Sequence, residues 1–346
     1  MLLSIGDQVK PGTYRRHSRF SHAVNFEREG RLVSVVDETI GPGPLNIVLR
    51  DLKSAQAKCP MDLSPSILKG LRHSAQGWIA GARGNGPTLG KHPSKVPNPE
   101  RVESRSSFAP PPPLRISSRT VLFAGHHYRF TPRHRYDSTL ELRAVDSRRF
   151  QRNLALLGEL LKTDSPPMSL AFLVDDRRRR TFRTSFEKAF AEQITRGVGQ
   201  VFRGDLLEGI RHLKGCGPGL TPGGDDFVAG LLIGLHVLQK LRGQNFQPAI
   251  NAIFRAARGN NMFSNTFLDL ARRGLLLGRI KDLVLALSSG RQGSVRKAAE
   301  ALFALGESSG ADLATGLFMT LDGNVASINC AAGLTVRARG AGMLPT

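Results

Sequence analysis

The chain has 346 residues, enough for two domains and a sizeable core; 40% of them are hydrophobic, and only 6% are aromatic. Its 49 Lys and Arg against 28 Asp and Glu leave a net charge of +21, which draws polyanions (nucleic acid, acidic lipid or an acidic protein) without choosing among them. The cysteines Cys59, Cys216 and Cys330 lie far apart with no Cys-x-x-Cys pair, which argues against a disulfide framework or zinc knuckle and fits a reducing cytoplasm.

The opening Met1-Leu2-Leu3-Ser4-Ile5-Gly6-Asp7 has no basic stretch followed by an apolar one, so no signal peptide is expected. No run reaches the roughly 18 apolar residues of a membrane span. Residues 1–50 read as β-rich. Residues 31–37 and 45–49 are β-branched runs, and Gly41-Pro42-Gly43-Pro44 between them predicts two strands joined by a loop. Residues 14–26 read as an irregular strand or a loop, and 66–71 as a short helix. From about 84 to 118 the apolar content falls away and prolines accumulate, ending in Pro110-Pro111-Pro112-Pro113. This reads as an extended or disordered insertion with polyproline II geometry at the proline run. Residues 120–125 resume a strand pattern, and 139–145 alternate at period two, which predicts another strand. His126 and His127 lie between them. Neighbouring strand residues point to opposite faces, which argues against a shared metal.

After about residue 146 the pattern turns helical. Phe150, Leu154, Leu157, Leu160 and Leu161 recur at three- and four-residue spacing, and 182–202 is amphipathic. Between them stand Arg177, Arg178, Arg179 and Arg180, a run that suits phosphate contact but more often marks a solvated corner. Residues 206–213, 249–257, 263–274, 280–287, 295–304 and 313–321 are further apolar periodic stretches. The expected fold is therefore α+β, with a β-rich, barrel-like N-terminal domain (1–145) and a mainly helical C-terminal domain (146–346).

The chain is organised around Gly217-Pro218-Gly219-Leu220-Thr221-Pro222-Gly223-Gly224-Asp225-Asp226-Phe227. The glycines and prolines fix a loop, Thr221-Pro222 is a helix-start signal with Thr221 as N-cap, and an apolar helix follows. Free N–H groups in that first turn suit an anion. Asp225 and Asp226 suit a metal, a cationic group or an amide N–H, although an Asp at a helix start is also favoured by the dipole alone. The loop lacks both the Walker Gly-Lys-Ser/Thr and the Rossmann Gly-x-Gly-x-x-Gly patterns. Two satellites repeat its grammar. Ser308-Ser309-Gly310-Ala311-Asp312 and Asn260-Asn261-Met262-Phe263-Ser264 each place small polar residues ahead of an apolar helix. Three such starts could converge on one small-ligand pocket.

The first motif, with Ser308-Ser309-Gly310-x-Asp312 and Phe263-Ser264, resembles a bacterial family whose named members are the AllH-type subunit of oxamate carbamoyltransferase. The resemblance implies ureide (allantoin) catabolism, in which oxalurate and phosphate become oxamate and carbamoyl phosphate in the company of other subunits. On that basis Asp225 and Asp226 would be catalytic, receiving ureide N–H groups or a Mg²⁺. Gly217, Gly219, Thr221, Gly223, Gly224, Ser264, Ser308, Ser309 and Asp312 would bind ureide and phosphate. No redox cofactor is needed for carbamoyl transfer, and the expected location is the cytoplasm. A different class remains open, that of a non-enzymatic nucleic-acid-binding or scaffold protein using the basic surface. No recognisable nucleic-acid motif supports it.

Overall fold

The computed structural model describes residues 1–57, 112–142 and 145–323. The fold is α+β, a half-barrel sheet followed by a helical region. The strands are β1 (Leu2–Gly6), β2 (Gly12–Arg19), β3 (Ala23–Arg28), β4 (Arg31–Val36), β5 (Asn46–Leu49), β6 (Leu114–Ile116), β7 (Thr120–Phe123), β8 (His126–Arg129) and β9 (Arg135–Tyr136), with a short helix α1 (Leu52–Ala57) after β5. They form one nine-stranded sheet in the order β8-β7-β6-β2-β3-β4-β5-β1-β9. Two tight hairpins shape it. Glu29 and Gly30, with φ of 54° and 72°, join β3 to β4, and Ala124 and Gly125, with φ of 50° and 78°, join β7 to β8. Positive φ at both central residues gives the turn a twist that matches the flanking strands.

Residues 14–26 contribute to β2 and β3, with a register shift between Arg16 and Ser18. The Gly41-Pro42-Gly43-Pro44 loop does join two strands, but it carries the chain across so that β4 and β5 run parallel. The short helix expected at 66–71, and most of the proline-rich segment, lie outside the described residues. Within the segment assigned to the insertion, Leu114–Ile116 is strand β6, paired with β2. Three residues are too few to show a period. The strand expected at 139–145 is not formed by its described residues, where Thr139 makes an isolated bridge to Leu275. Its alternation reflects Leu140, which is buried on the helical core instead.

The helices are α2 (Ser147–Thr163), α3 (Ser185–Arg203), α4 (Leu206–Leu213), α5 (Gly223–Arg242), α6 (Gln247–Ala257), α7 (Met262–Arg272), α8 (Gly278–Ser289), α9 (Gln292–Phe303) and α10 (Ser309–Asp322). Side chains cap the starts of α2, α3 and α7. Asp146 caps α2 by accepting from Arg148 N and Arg149 N, and Thr184 with Glu187 forms a capping box on α3. The arginine run is largely structural. Arg178 donates to the carbonyls of Lys162 in the last turn of α2 and of Ser165 and Pro166 just beyond it, and Arg177 pairs with Asp175. Arg179 lies over the Phe172 ring and pairs with Asp176.

Helix α5 is buried from Gly223 to Leu235 and forms the centre of the helical core. It packs on α10 with almost no side chain between them. A Cβ on Gly230 would sit 2.0 Å from Leu313 O, and one on Gly316 would sit 2.1 Å from Phe227 O. The sheet has its own apolar core, which includes Ile5, Phe26, Val35, Ile47 and Leu114. Sheet and helices are tied by main-chain contacts. Leu276 N donates to Ser138 O at 2.9 Å, Gly278 N to Pro42 O at 2.8 Å, and Tyr136 Oη to Leu276 O at 3.0 Å. The edge-on contact of His17 (β2) with Phe263 (α7), ring centroids 5.2 Å apart, places the sheet beside one of the polar helix starts.

Candidate functional site

The loop between α4 and α5 folds back on the start of α5. Gly215, Gly217 and Gly219 adopt φ of 65°, 121° and 103°, a region that side chains with a Cβ rarely occupy. Cys216 N donates to Leu213 O at 3.0 Å, and Cys216 O accepts Gly224 N at 2.9 Å. Helix α5 therefore begins one residue later than the Thr221-Pro222 signal predicts, with Pro222 as the N-cap residue. The Pro222 carbonyl accepts from Asp225 N at 2.9 Å and Asp226 N at 3.1 Å. Thr221 is thereby released from capping. Its hydroxyl donates to Asp226 Oδ2 at 3.2 Å and lies 3.3 Å from Ser309 Oγ.

Three buried carboxyl groups meet at this junction. Asp225 accepts Gly215 N at 2.7 Å and so pins the loop to its helix. Asp312 accepts Leu170 N at 2.6 Å on one oxygen and Ser308 Oγ at 2.9 Å on the other. Its Oδ2 also faces Gly223, where an added Cβ would lie 2.9 Å away. Burial pushes the Asp312 carboxyl up to about 7 against the opposing pull of its two hydrogen bonds. Asp226 is raised well above the usual carboxylate range, first by burial and then by the charge of Asp312. Asp225 is raised by burial, countered by Gly215, Ser264 and Lys214. Burial thus makes all three carboxyls harder to ionise than exposed carboxylates.

The third start reaches the same place. Asn261 Oδ1 caps α7 by accepting Phe263 N and Ser264 N, and its Nδ2 donates to Leu220 O in the glycine loop at 2.8 Å. Ser264 is 3% exposed, and its Oγ makes no hydrogen bond of good geometry, although it lies close enough to Asp225 to lower that carboxyl. The starts of α5, α7 and α10 are thus gathered round one loop, with Asp225, Asp226, Thr221, Ser264, Ser308, Ser309 and Asp312 between them.

Gly217 backs onto the Phe190 ring and the Gly223 amide, and Gly219 stands exposed at the tip. Gly224 is held otherwise, because its N–H goes to Cys216 O and its Cα packs 2.0 Å, by an added Cβ, from Leu213 O. Leu170 was not legible from the sequence, since it contributes only a backbone N–H. Among the described residues, no group of three or more His, Cys, Asp and Glu side chains is arranged to hold a metal ion.

Two clefts among the described residues lie elsewhere. One, of about 450 Å³, runs between the start of α2 and the end of α5, lined by Phe150, Gln151, Leu238 and Leu241. The other, of about 380 Å³, lies against β1, β5 and β9, lined by Ser4, Val48 and Tyr136. Neither touches the carboxyl cluster, which is a closed polar junction under an exposed loop. No helix among the described residues is long and apolar enough to cross a membrane. No solved structure matches the chain. Residues 213–321, a span that opens at the end of α4 and closes within α10, match the family model of the oxamate carbamoyltransferase subunit AllH, and the resemblance carried by the sequence motifs holds over that span.

Proposed function

We propose that the chain is a subunit of an oxamate carbamoyltransferase-type enzyme, and that the junction of α5, α7 and α10 holds a small carboxylated ureide with phosphate. The observation that carries this reading is that the family match contains the whole junction. The family match runs from residue 213 to 321, and the three polar helix starts that meet at the glycine loop all fall inside it.

The chemistry suits carbamoyl transfer. When phosphate attacks the carbamoyl carbon, negative charge develops on the carbonyl oxygen, where fixed donors lower the barrier. The C–N bond then breaks, and oxamate leaves with its nitrogen taking the proton that the phosphate gives up. Thr221, Ser264 and Ser309 supply hydroxyls, and a protonated Asp226 or Asp312 can donate as well. Asp225 accepts N–H groups of the ureide. The N–H groups of Gly217 and Gly219, either side of Pro218, hold an anion in the mouth of the loop. Fixing both reactants converts a bimolecular encounter into a positioned one.

The test is reconstitution. The chain, mixed with the companion subunits of the enzyme, is assayed for carbamoyl phosphate formation from oxalurate and phosphate, and omission of the chain should abolish turnover. Asp225→Asn and Asp226→Asn keep the shape of the loop and should each lower turnover at least about tenfold, since replacing a carboxyl oxygen by an NH₂ group mispairs a buried hydrogen-bond partner at about 1–3 kcal/mol. Full turnover without the chain, or with both variants, overturns the reading.

A further inference from the structure

Among the described residues, two side-chain atoms that adjoin Phe263 are buried with no hydrogen bond of good geometry. One is Oγ of Ser264, the next residue in the chain, which is 3% exposed. The other is Nδ1 of His17, whose ring meets the Phe263 ring edge-on with centroids 5.2 Å apart. A buried polar atom left alone is destabilising, so two at one place call for a partner that the chain does not supply. The place is also close to the glycine loop. Asn261, two residues before Phe263, holds Leu220 O, so the start of α7 adjoins the mouth assigned to phosphate.

The sheet departs from its regular pairing at His17. Strands β2 and β3 pair Arg16 with Phe26 and Ser18 with Asn25, which leaves His17 as an extra residue with none opposite. A bulge of this kind re-aims a side chain, and bulges are common beside active sites. The adjacent polar side chains satisfy one another. Asn25 Nδ2 donates to Ser18 Oγ at 3.0 Å, and Ser34 Oγ donates to Asn25 Oδ1 at 2.7 Å. His17 Nδ1 is left out of this chain of bonds. Burial holds the imidazole below its ordinary value, with Glu27 on β3 opposing and Arg15 on β2 assisting. Those two pair with each other at 3.3 Å, and the first turn of α7 carries no acid. The ring is therefore uncharged at neutral pH and able to take a proton.

We infer that His17 is the proton carrier of the carbamoyl transfer, its Nδ1 meeting the reactants in the corner between β2 and the start of α7, beside Ser264. The inference rests on the carbamoyltransferase-subunit reading and adds to it a residue from outside the span of the family match. Phosphate loses a proton as it attacks, and the leaving nitrogen gains one. With its hydrogen on Nε2, the neutral ring offers Nδ1 as an acceptor. Nδ1 takes the proton from phosphate as the O–C bond forms. It returns that proton to the ureide nitrogen as the C–N bond breaks, so oxamate departs with an intact amide and the ring ends as it began. No further reactant is consumed. Asp312 is the competing base, but its two oxygens already accept Leu170 N and Ser308 Oγ.

The experiment uses the full chain with the companion subunits of the enzyme, assayed for carbamoyl phosphate formation from oxalurate and phosphate as a function of pH. His17→Phe keeps an aromatic ring against Phe263, so its melting temperature should match the wild type. His17→Asn keeps a polar atom near the Nδ1 position, and neither variant can carry a proton. Both should lower kcat at least about a hundredfold, the usual share of a positioned acid–base group, with KM for oxalurate little changed. The acid limb of the wild-type pH profile, set by protonation of His17, should vanish from the residual activity of both. Wild-type kcat in His17→Phe overturns the inference. So does a lowered kcat that keeps the acid limb, which assigns the ring to packing. The two readings fail separately. No turnover with the wild-type chain removes the proposed activity and this step with it, whereas full turnover in both variants removes only the role of His17.

Discussion

The backbone N–H of Leu170 donates to Asp312 at 2.6 Å, which fastens the start of α10 to the segment that follows α2. The bond accepts onto a carboxyl whose burial raises it from an ordinary value of 3.8 to about 7. Between those values the folded chain keeps a proton that the unfolded chain has released, so stability falls as pH rises through that window and levels off above it. The loss is up to about 4 kcal/mol at about 1.4 kcal/mol per pH unit. Asp312→Asn keeps an acceptor for Leu170 and cannot ionise. It should flatten the decline and exceed the wild type in stability at about pH 8 while matching it only at about pH 3.5, below both values. Urea unfolding at both pH values measures this. A wild-type slope retained in the variant would place the titrating group elsewhere.

Two glycines in the α5–α10 contact admit no side chain. Gly230→Ala would bring a methyl to 2.0 Å from Leu313 O, and Gly316→Ala one to 2.1 Å from Phe227 O. Because each obstacle is backbone, relief requires the helices to move apart, at a cost of about 3 kcal/mol or more. Gly293, near the start of α9, has nothing within 4 Å of an added Cβ. Gly293→Ala should instead stabilise by about 0.5–1 kcal/mol. Thermal melts of the three variants decide it, and equal melting temperatures would contradict the close contact.

Asn261 does two jobs with one amide, capping α7 through its oxygen and holding Leu220 O through its nitrogen. Asn261→Ala should cost about 1 kcal/mol from the lost cap. It should also raise the KM for phosphate, since the loop loses its tie to α7. Asn261→Asp keeps the cap but not the donor, so it should restore stability and leave KM high. If both variants show wild-type kinetics, the Leu220 contact does not position the loop.

Much of this architecture is legible in the chain, for physical reasons that differ by region. The apolar run after Thr221-Pro222 announces α5, and the amphipathic spacing of Phe150, Leu154, Leu157 and Leu161 announces α2. The hydroxyls and amides ahead of α7 and α10 are visible as helix-start chemistry, and their meeting at the loop follows from where those helices pack. The misses share a different cause. Alternation at 139–142 cannot tell a strand from a segment with one neighbour, Leu275, and one residue sunk in the helical core. Ala124 carries no turn signal, and it takes positive φ because the two-residue link from β7 to β8 requires it. The Leu170 amide has no side-chain signature, and the parallel pairing of β4 with β5 is decided by the path of the loop between them.

The glycine contact between α5 and α10 also acts as a gauge. Asp226 lies one residue before Phe227, whose carbonyl touches Gly316, and Asp312 lies one residue before Leu313, whose carbonyl touches Gly230. The backbone spacing beneath the two acids is therefore set by main chain resting on main chain, while Thr221, Ser308 and the Leu170 amide aim the carboxyls themselves. Side chains elsewhere in the core can be exchanged without altering that distance. A side chain at either glycine would part the two helices and with them the acids, of which Asp312 raises the hold of Asp226 on its proton.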